Sequence, residues 1–329
     1  MSTASVAVVG LGVVGSRIAR QLTSSGMPVL VHDMRADLQN VTARALKATG
    51  INDLADLRPE TSPLVVLATP AGQSEIARLL VELGLHVVCT SDDVDDIEIQ
   101  LALDERARSR GVGVVVGAAA SPGLSGLLVA ELATRVDELD EIHVGVHGTG
   151  GPACARQHHR ALAGVAPGWH DGEWINRPGG SGRELLWFPE PIGGRDCYRA
   201  ELADPVTLHR AFPSATRISA RMSANRRDRL TARLPMMSPP HAEGGLGGVR
   251  VEIRGSKAGA RRTEVAGVAE RTGIISGAVA AATAVAMLAS EKPPVGVSVL
   301  GDGRLNNTAL LDDVIRRGIT VFEYAGSGA

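Results

Sequence analysis

The segment that most restricts the fold is GLGVVG, residues 10–15. It closes an apolar run, SVAVVG (5–10), and opens a helical pattern in which Val14, Ile18 and Leu22 share one face until Gly26 stops it. A second apolar run, PVLVHD (28–33), ends on Asp33. A lone G-x-G-x-x-G is a weak signal, but between a strand and a helix, with an acid closing the next strand, it specifies a dinucleotide-binding unit. Gly10 permits the tight turn, Gly12 lets backbone approach a pyrophosphate, and Gly15 lets the helix pack closely on the strand. The amides of Val13 and Val14 open the helix, at its positive end. Asp33 is expected to accept hydrogen bonds from the adenosine ribose and to repel a 2′-phosphate, which favours NAD. Arg35, one residue past Met34, keeps NADP open because a guanidinium there can reach a 2′-phosphate.

Strand and helix signals go on alternating. PLVVLATP (63–70), LHVVCTSD (85–92) and GVGVVVGAA (111–119) read as strands, separated by QSEIARLLVELG (73–84) and a charged helix over about 93–110. Such alternation predicts a doubly wound parallel sheet of the Rossmann type, in an α/β chain. Ligands lie beyond the carboxyl ends of its strands, which selects Ala68, Thr69 and Pro70, then Thr90 and Ser91, then Ala118 to Ser121.

After SPGLSGLLVAELA the pattern changes. TRISARMSA (216–224) and GVRVEIRG (248–255) alternate apolar and polar residues, and EIHVGVHG (141–148) and RTEVAGVAE (262–270) look like further strands. Period two means a sheet with one wet face, so the second domain is expected to be α+β with a mostly antiparallel sheet that also pairs two copies in a homodimer. The expected division is 1–122, 123–270 and 271–329, the last an Ala-rich helix and tail returning to the first domain. LPMMSPPHAEGGLGG (234–248) is long for a connection and reads as a lid or an inter-subunit arm.

Totals exclude several function classes. A net charge of −2 gives no bulk attraction for nucleic acid or anionic lipid. Three cysteines without C-x-x-C spacing argue against a disulfide framework or a structural zinc. No secretory signal is read at the N-terminus, so a cytoplasmic location is expected. The uncharged runs 111–130 and 273–290 are too interrupted or too rich in small residues to read as membrane spans.

The segments GLGVVG, ATPAG, HVVCTSDD and VVGAAASPGLSGLLVAELA, taken in this order, resemble the saccharopine dehydrogenase-like oxidoreductases, over roughly residues 5–135. The resemblance implies a Rossmann domain paired with an α+β substrate domain. It also implies NAD(P)-dependent hydride transfer, most often at a carbon–nitrogen bond of a small carboxylate-bearing amino acid or imine. Related sugar dehydrogenases carry Glu-Lys-Pro where this chain has Cys89-Thr90-Ser91-Asp92, so their lysine-assisted sugar chemistry is not expected. Two alternatives are a 2-hydroxy acid or semialdehyde dehydrogenase and a non-catalytic nicotinamide-binding sensor or assembly protein.

Two polar clusters are candidates for the chemistry. In GPACARQHHRAL (151–162), helical spacing from Pro152 puts Arg156, His159 and Arg160 in one sector and Cys154 and His158 in the opposite one. His159, beside two guanidinium groups, is expected to stay neutral and accept the substrate proton, while Arg156 and Arg160 bind the substrate carboxylate. His158 reads as a packed core residue. Cys154 and His158 stand four apart, a spacing that can ligate a metal, but no further ligand is apparent and no metal site is expected. In the second cluster, Asp196 and Tyr198 are expected to assist proton transfer, and Arg183 and Arg195 to bind substrate. Trp187 is expected to wall the pocket with Trp169 and Trp174.

Overall fold

A computed structural model describes residues 4–236 and 239–324. The first unit runs β1 (Val6–Val9), α1 (Val13–Ser24), β2 (Val29–His32), α2 (Ala36–Leu46), β3 (Thr49–Gly50), β4 (Leu64–Leu67), α3 (Gln73–Glu82), β5 (His86–Cys89), α4 (Val94–Leu101), α5 (Asp104–Ser109) and β6 (Gly113–Val116). Next come α6 (Leu124–Ala133), β7 (Glu138–His147), α7 (Pro152–Ala161), β8 (Val165–His170), β9 (Glu173–Pro178), β10 (Glu184–Phe188) and β11 (Gly193–Arg199). Then follow α8 (Asp204–Ala211), β12 (Arg217–Ser223), α9 (Arg226–Thr231), β13 (Leu246–Lys257) and β14 (Ala260–Arg271). The chain ends with α10 (Thr272–Ala289), β15 (Gly296–Val299), α11 (Asn307–Arg316) and β16 (Val321–Glu323).

Seven parallel strands form the first sheet, in the order β15-β6-β5-β4-β1-β2-β3. Its central strands are continuous runs of Val, Leu and Ala buried on both faces, as a sheet covered by helices on each side requires. The strand order reverses between β1 and β4, and that crevice is where such sheets take a ligand. On α1 the buried stripe is Gly15, Ile18, Ala19 and Leu22.

The second sheet is mixed. Its order is β10-β11-β12-β7-β13-β14-β16, with the β8–β9 hairpin attached to β12. Only β7 and β12 run parallel, because the α7 excursion lies between them; the other pairs are antiparallel. Ile218, Ala220 and Met222 point into the core while Arg217, Ser219 and Arg221 do not, in line with the alternation of the sequence. The tryptophan-rich segment, which shows no clean period, forms β8 to β10; in β9 five of six residues are exposed. The expected lid segment is shorter than its sequence suggests, since Leu246 to Gly248 already belong to β13. Its Glu243 pairs with Arg17 of α1 at 3.1 Å, and its Met237 and Ser238 lie outside the described residues.

The Ala-rich α10 returns to the first unit and packs on α1, and β15 then extends the first sheet. A methyl group on Gly273 or Gly277 would sit 2.9 or 3.0 Å from α1 side chains, so the small residues set how closely the two helices approach. The helix is long and apolar enough to cross a membrane, yet 72% of it is buried within the protein.

At Gly126 of α6 the fit is tighter: an added Cβ would lie 2.1 Å from the Leu300 carbonyl oxygen. Gly126→Ala should therefore lower stability by about 1–3 kcal/mol, the usual cost of overpacking. A urea unfolding midpoint matching wild type would refute this reading of the contact.

Candidate active site

The glycine loop leaves room for a ligand at one position and for nothing at the others. Gly10 has φ +88° and an added Cβ would meet the Ala68–Thr69 peptide at 2.8–2.9 Å; at Gly15 it would lie 1.7 Å from the Gly10 oxygen. At Gly12 it would meet nothing within 4 Å. No side chain caps α1 and no acid stands in its first turn, so the amides of Val13, Val14 and Gly15 are available to an anion. Open space in front of free helix-opening amides is the cradle a dinucleotide pyrophosphate needs, and the residues fit that cofactor.

Asp33 closes the loop from the other side. Its carboxylate accepts Leu11 N at 2.7 Å, Arg35 N at 2.9 Å and Arg35 Nε at 3.0 Å, and Gln39 holds its backbone amide. Burial works against the charged form, but the bonds from Arg35 and Leu11 outweigh it and hold the carboxyl below its usual range. An ionised Asp33 anchored to the loop suits ribose hydroxyls. Arg35 is mostly exposed and bonded to Asp33 itself, while Met34 is 98% exposed.

The strand-end residues play unequal parts. Thr90 gives its hydroxyl to the Leu67 carbonyl and takes Gln73 Oε1 at its amide. Thr69 bonds locally to Ala71, and Ser91 is buried. Pro70 is exposed at the end of β4. Ala118 is wholly buried and its amide is spent on the Cys89 carbonyl, so the expectation that it lines the crevice is corrected. Three residues later the chain does shape the site. Ser121 and Ser125 donate to the buried carboxyl of Asp204 at 2.5 and 2.6 Å, a pin between the loop after β6 and the start of α8 that the sequence did not reveal.

The second unit reaches this edge through α7. Gly151, at φ +140°, brings the helix start so close to the dinucleotide loop that an added Cβ would be 2.8 Å from Val13 Cγ2; at Gly150 it would be 3.3 Å from Val14. From there Cys154 and His158 extend to Asp92, just past β5. His158 Nε2 is 3.3 Å from Asp92 Oδ2, Cys154 Sγ is 3.8 Å from the same oxygen, and Sγ and Nε2 are 3.7 Å apart. Burial disfavours charge on His158, but Cys154 and Asp92 overcome it and raise the imidazole well above its ordinary value. Its other nitrogen, Nδ1, is buried with no hydrogen-bond partner among the described residues.

This reverses the assignments within the helix. His159, expected as the proton acceptor, is buried, and its Nε2 lies 3.0 and 3.1 Å from the Thr231 and Leu234 carbonyls, so that nitrogen donates to the end of α9 and the turn after it rather than facing Asp92. Arg156 and Arg160 are exposed on the side of α7 opposite Cys154 and His158, where a substrate at Asp92 is out of their reach. His158, read as a core residue, is the histidine at the strand edge.

The second expected cluster is not brought to the first. Tyr198 is buried beneath the Arg229 guanidinium, 4.0 Å from its ring centroid, which leaves it a packing role. Asp196 pairs with Arg183 at 3.0 Å in an exposed position, and neither bonds to Asp92, Cys154 or His158. Arg195, next along β11, points to the opposite face of the sheet from Asp196. Trp187 is 58% exposed on the edge strand β10, whereas Trp169 stacks on His209 and Trp174 meets both rings edge-on, so the three do not form one pocket wall. Trp169 instead borders a cavity of 230 Å³, also lined by Arg177, Arg199, Arg217 and Arg221.

Two outcomes follow. Asp33→Ser should raise affinity for NADPH relative to NADH by about tenfold or more, because it removes the charge that repels a 2′-phosphate and frees Arg35; an unchanged ratio of dissociation constants would count against this role. His159→Ala should cost about 1–3 kcal/mol of stability through loss of its hydrogen bonds to the Thr231 and Leu234 carbonyls and leave kcat unchanged, and a collapse of kcat at intact stability would restore it to the mechanism.

Residues 5–62 match the model of the 3-hydroxyacyl-CoA dehydrogenase NAD-binding domain. No curated protein is significantly similar in sequence. Among solved structures, apo saccharopine dehydrogenase (L-Glu forming) from Saccharomyces cerevisiae is 12% identical with a TM-score of 0.71, over 98% of this chain and 100% of that one. DAP dehydrogenase of C. glutamicum in complex with DAP is 16% identical with a TM-score of 0.55, over 97% and 100%. An engineered D-amino acid dehydrogenase bound to NADP+ is 17% identical with a TM-score of 0.54, over 96% and 99%. At these identities the likeness is one of fold. The chain carries an NAD-binding segment within the two-domain α/β fold seen in saccharopine dehydrogenase and related NAD(P)-dependent oxidoreductases.

Proposed function

We propose that this chain transfers a hydride between a nicotinamide cofactor and the carbon of a carbon–nitrogen bond, in a small carboxylate-bearing amino acid or the matching imine. The observation that carries the reading is the meeting of Asp92, Cys154 and His158, which joins a helix of the second unit to the carboxyl edge of β5 beside the dinucleotide loop.

In this reading the cradle of Gly10 to Gly15 and the Asp33 carboxylate hold the dinucleotide. The bound cofactor supplies the hydride chemistry. The chain's own part is to hold the reacting nitrogen and manage its proton. Amine oxidation removes a hydride from carbon and a proton from nitrogen, and the Asp92 carboxylate, more exposed than His158, receives that proton.

The charge around the cluster supports an amine over a hydroxyl as the reacting group. Burial, then Asp95 and Asp93, raise the Glu201 carboxyl; burial also raises Asp204, with a further push from Asp92. Glu201 lies within reach of Asp95 and Asp93, and Asp204 of Asp92, so acidic groups gather at this edge, and an acidic edge suits a substrate ammonium. The names of the saccharopine, DAP and D-amino acid dehydrogenases that share the fold agree with this choice.

A screen of amino acids and cyclic imines against NAD(H) and NADP(H), followed by reduced-nicotinamide absorbance, should find a substrate. Asp92→Asn and His158→Gln should each lower kcat/KM for it by about 10²–10⁴-fold with NADH affinity unchanged. Nucleotide binding without turnover of any candidate would favour a sensor, and turnover of 2-hydroxy acids alone would move the reaction to a carbon–oxygen bond.

A further inference from the structure

We propose that Asp92, Cys154 and His158 are the three protein ligands of a catalytic zinc ion. The sequence offers Cys154 and His158 one helical turn apart, a pair that lacks a third donor within the helix. The fold supplies it from 62 residues away: among the described residues this is the one group of three ligand-type side chains whose donor atoms all lie within 4.8 Å of one another.

The separations have the dimensions of a coordination sphere. Zinc sits about 2.3 Å from thiolate sulfur and about 2.0–2.2 Å from imidazole nitrogen or carboxylate oxygen, so the edges of a tetrahedron of such ligands are about 3.3–3.6 Å. Here the N–O edge is 3.3 Å, the S–N edge 3.7 Å and the S–O edge 3.8 Å. A contraction of a few tenths of an ångström around an ion converts the cluster into three corners of that tetrahedron. A thiolate in the set selects zinc over magnesium or calcium, which prefer all-oxygen ligands.

Charge and coordination number both agree. One thiolate, one carboxylate and one neutral imidazole balance a divalent ion, leaving a half-buried site with no net charge. Three protein ligands leave a fourth position open, the hallmark of catalytic as opposed to structural zinc. Ligation through Asp92 Oδ2 leaves Oδ1 for the proton that the substrate's ammonium gives up, and the neutral amine so formed takes the open position as a Lewis base. The assignment rests on the hydride-transfer reading for what the ion does there, and on ligand geometry alone for where it binds.

Cobalt reports on the ligands directly. The full-length chain, freed of metal with a chelator, should bind one equivalent of Co²⁺ with a thiolate-to-metal absorption band. That band should disappear in Cys154→Ser, since Cys89 and Cys197 are fully buried elsewhere in the sheets. Asp92→Asn, as a second variant checked for folding by circular dichroism, should keep the band but weaken Zn²⁺ binding by more than about tenfold, the loss typical even of outer-shell partners. Absence of a thiolate band, or a band that survives Cys154→Ser, overturns the site. With a substrate from the screen, full turnover by the metal-stripped chain overturns the ion's catalytic role and leaves the hydride-transfer reading intact. A metal site of the expected kind in a chain that binds no pyridine nucleotide does the reverse.

Discussion

The contact on which the site depends is the approach of the α7 start to the dinucleotide loop, where Gly150 and Gly151 lie against Val14 and Val13. A side chain at 151 would meet Val13 and would also be strained at φ +140°. Without that approach α7 would stand off from the first unit, and Cys154 and His158 could not reach Asp92. The same loop is itself compressed from beneath, since Gly15 fits only without a Cβ against Gly10 and Gly10 only without one against Ala68. The loop therefore lies backbone to backbone on the end of β4, and only the Val13 and Val14 side chains separate it from the glycines that open α7. The one opening in that stack is at Gly12, where a ligand's charged bridge has room.

How far the sequence discloses this architecture varies along the chain. The first sheet is legible because each of its strands is a short apolar run ended by a turn signal, and parallel strands buried on both faces give that pattern. In the second unit β12 and β13 are readable from period two and β7 and β14 as further strand-like runs beside them, whereas β8 to β11 are not: their exposed side chains and charges show no consistent apolar face. Helical spacing sorted α7 correctly into sectors, with Cys154 and His158 on one side and Arg156 and Arg160 on the other. It could not say which sector meets the rest of the protein, and the choice of His159 followed from that gap. Asp92 was in view as part of Cys-Thr-Ser-Asp at the end of β5, the very stretch that departs from Glu-Lys-Pro, yet a partner 62 residues distant leaves no periodic trace.

His158 and His159 are neighbours in sequence with different surroundings in the fold. Two adjacent residues on a helix point about 100° apart, so on α7 one can face the Rossmann edge and the other the end of α9. A buried imidazole N–H that reaches the Thr231 carbonyl at the end of α9 and the Leu234 carbonyl in the turn beyond it ties the two together and does structural work. Arg156 and Arg160 raise the polarity of the same stretch without touching either partner. A dense run of reactive side chains on one helix is thus divided among three surroundings: a strand edge, a helix terminus and solvent.

The electrostatics of the two halves of the site are built in opposite ways. At the nucleotide end, Asp33 is stabilised as an anion by fixed donors, two of them on Arg35, so its charge is present before any ligand arrives. Preorganisation of that kind lowers the cost of ordering on binding. At the strand edge the carboxylates of Asp92, Asp93, Asp95, Glu201 and Asp204 are crowded, and burial raises two of them further. Hydroxyls of Ser121 and Ser125 offset the burial of Asp204 only in part. His158, raised well above its ordinary value, supplies one positive charge beside Asp92, and a divalent ion held by Asp92, Cys154 and His158 replaces that proton in the same place. The acidity of this edge and its affinity for positive charge are one property, set by how closely the fold draws the ends of β5, α7 and α8 together.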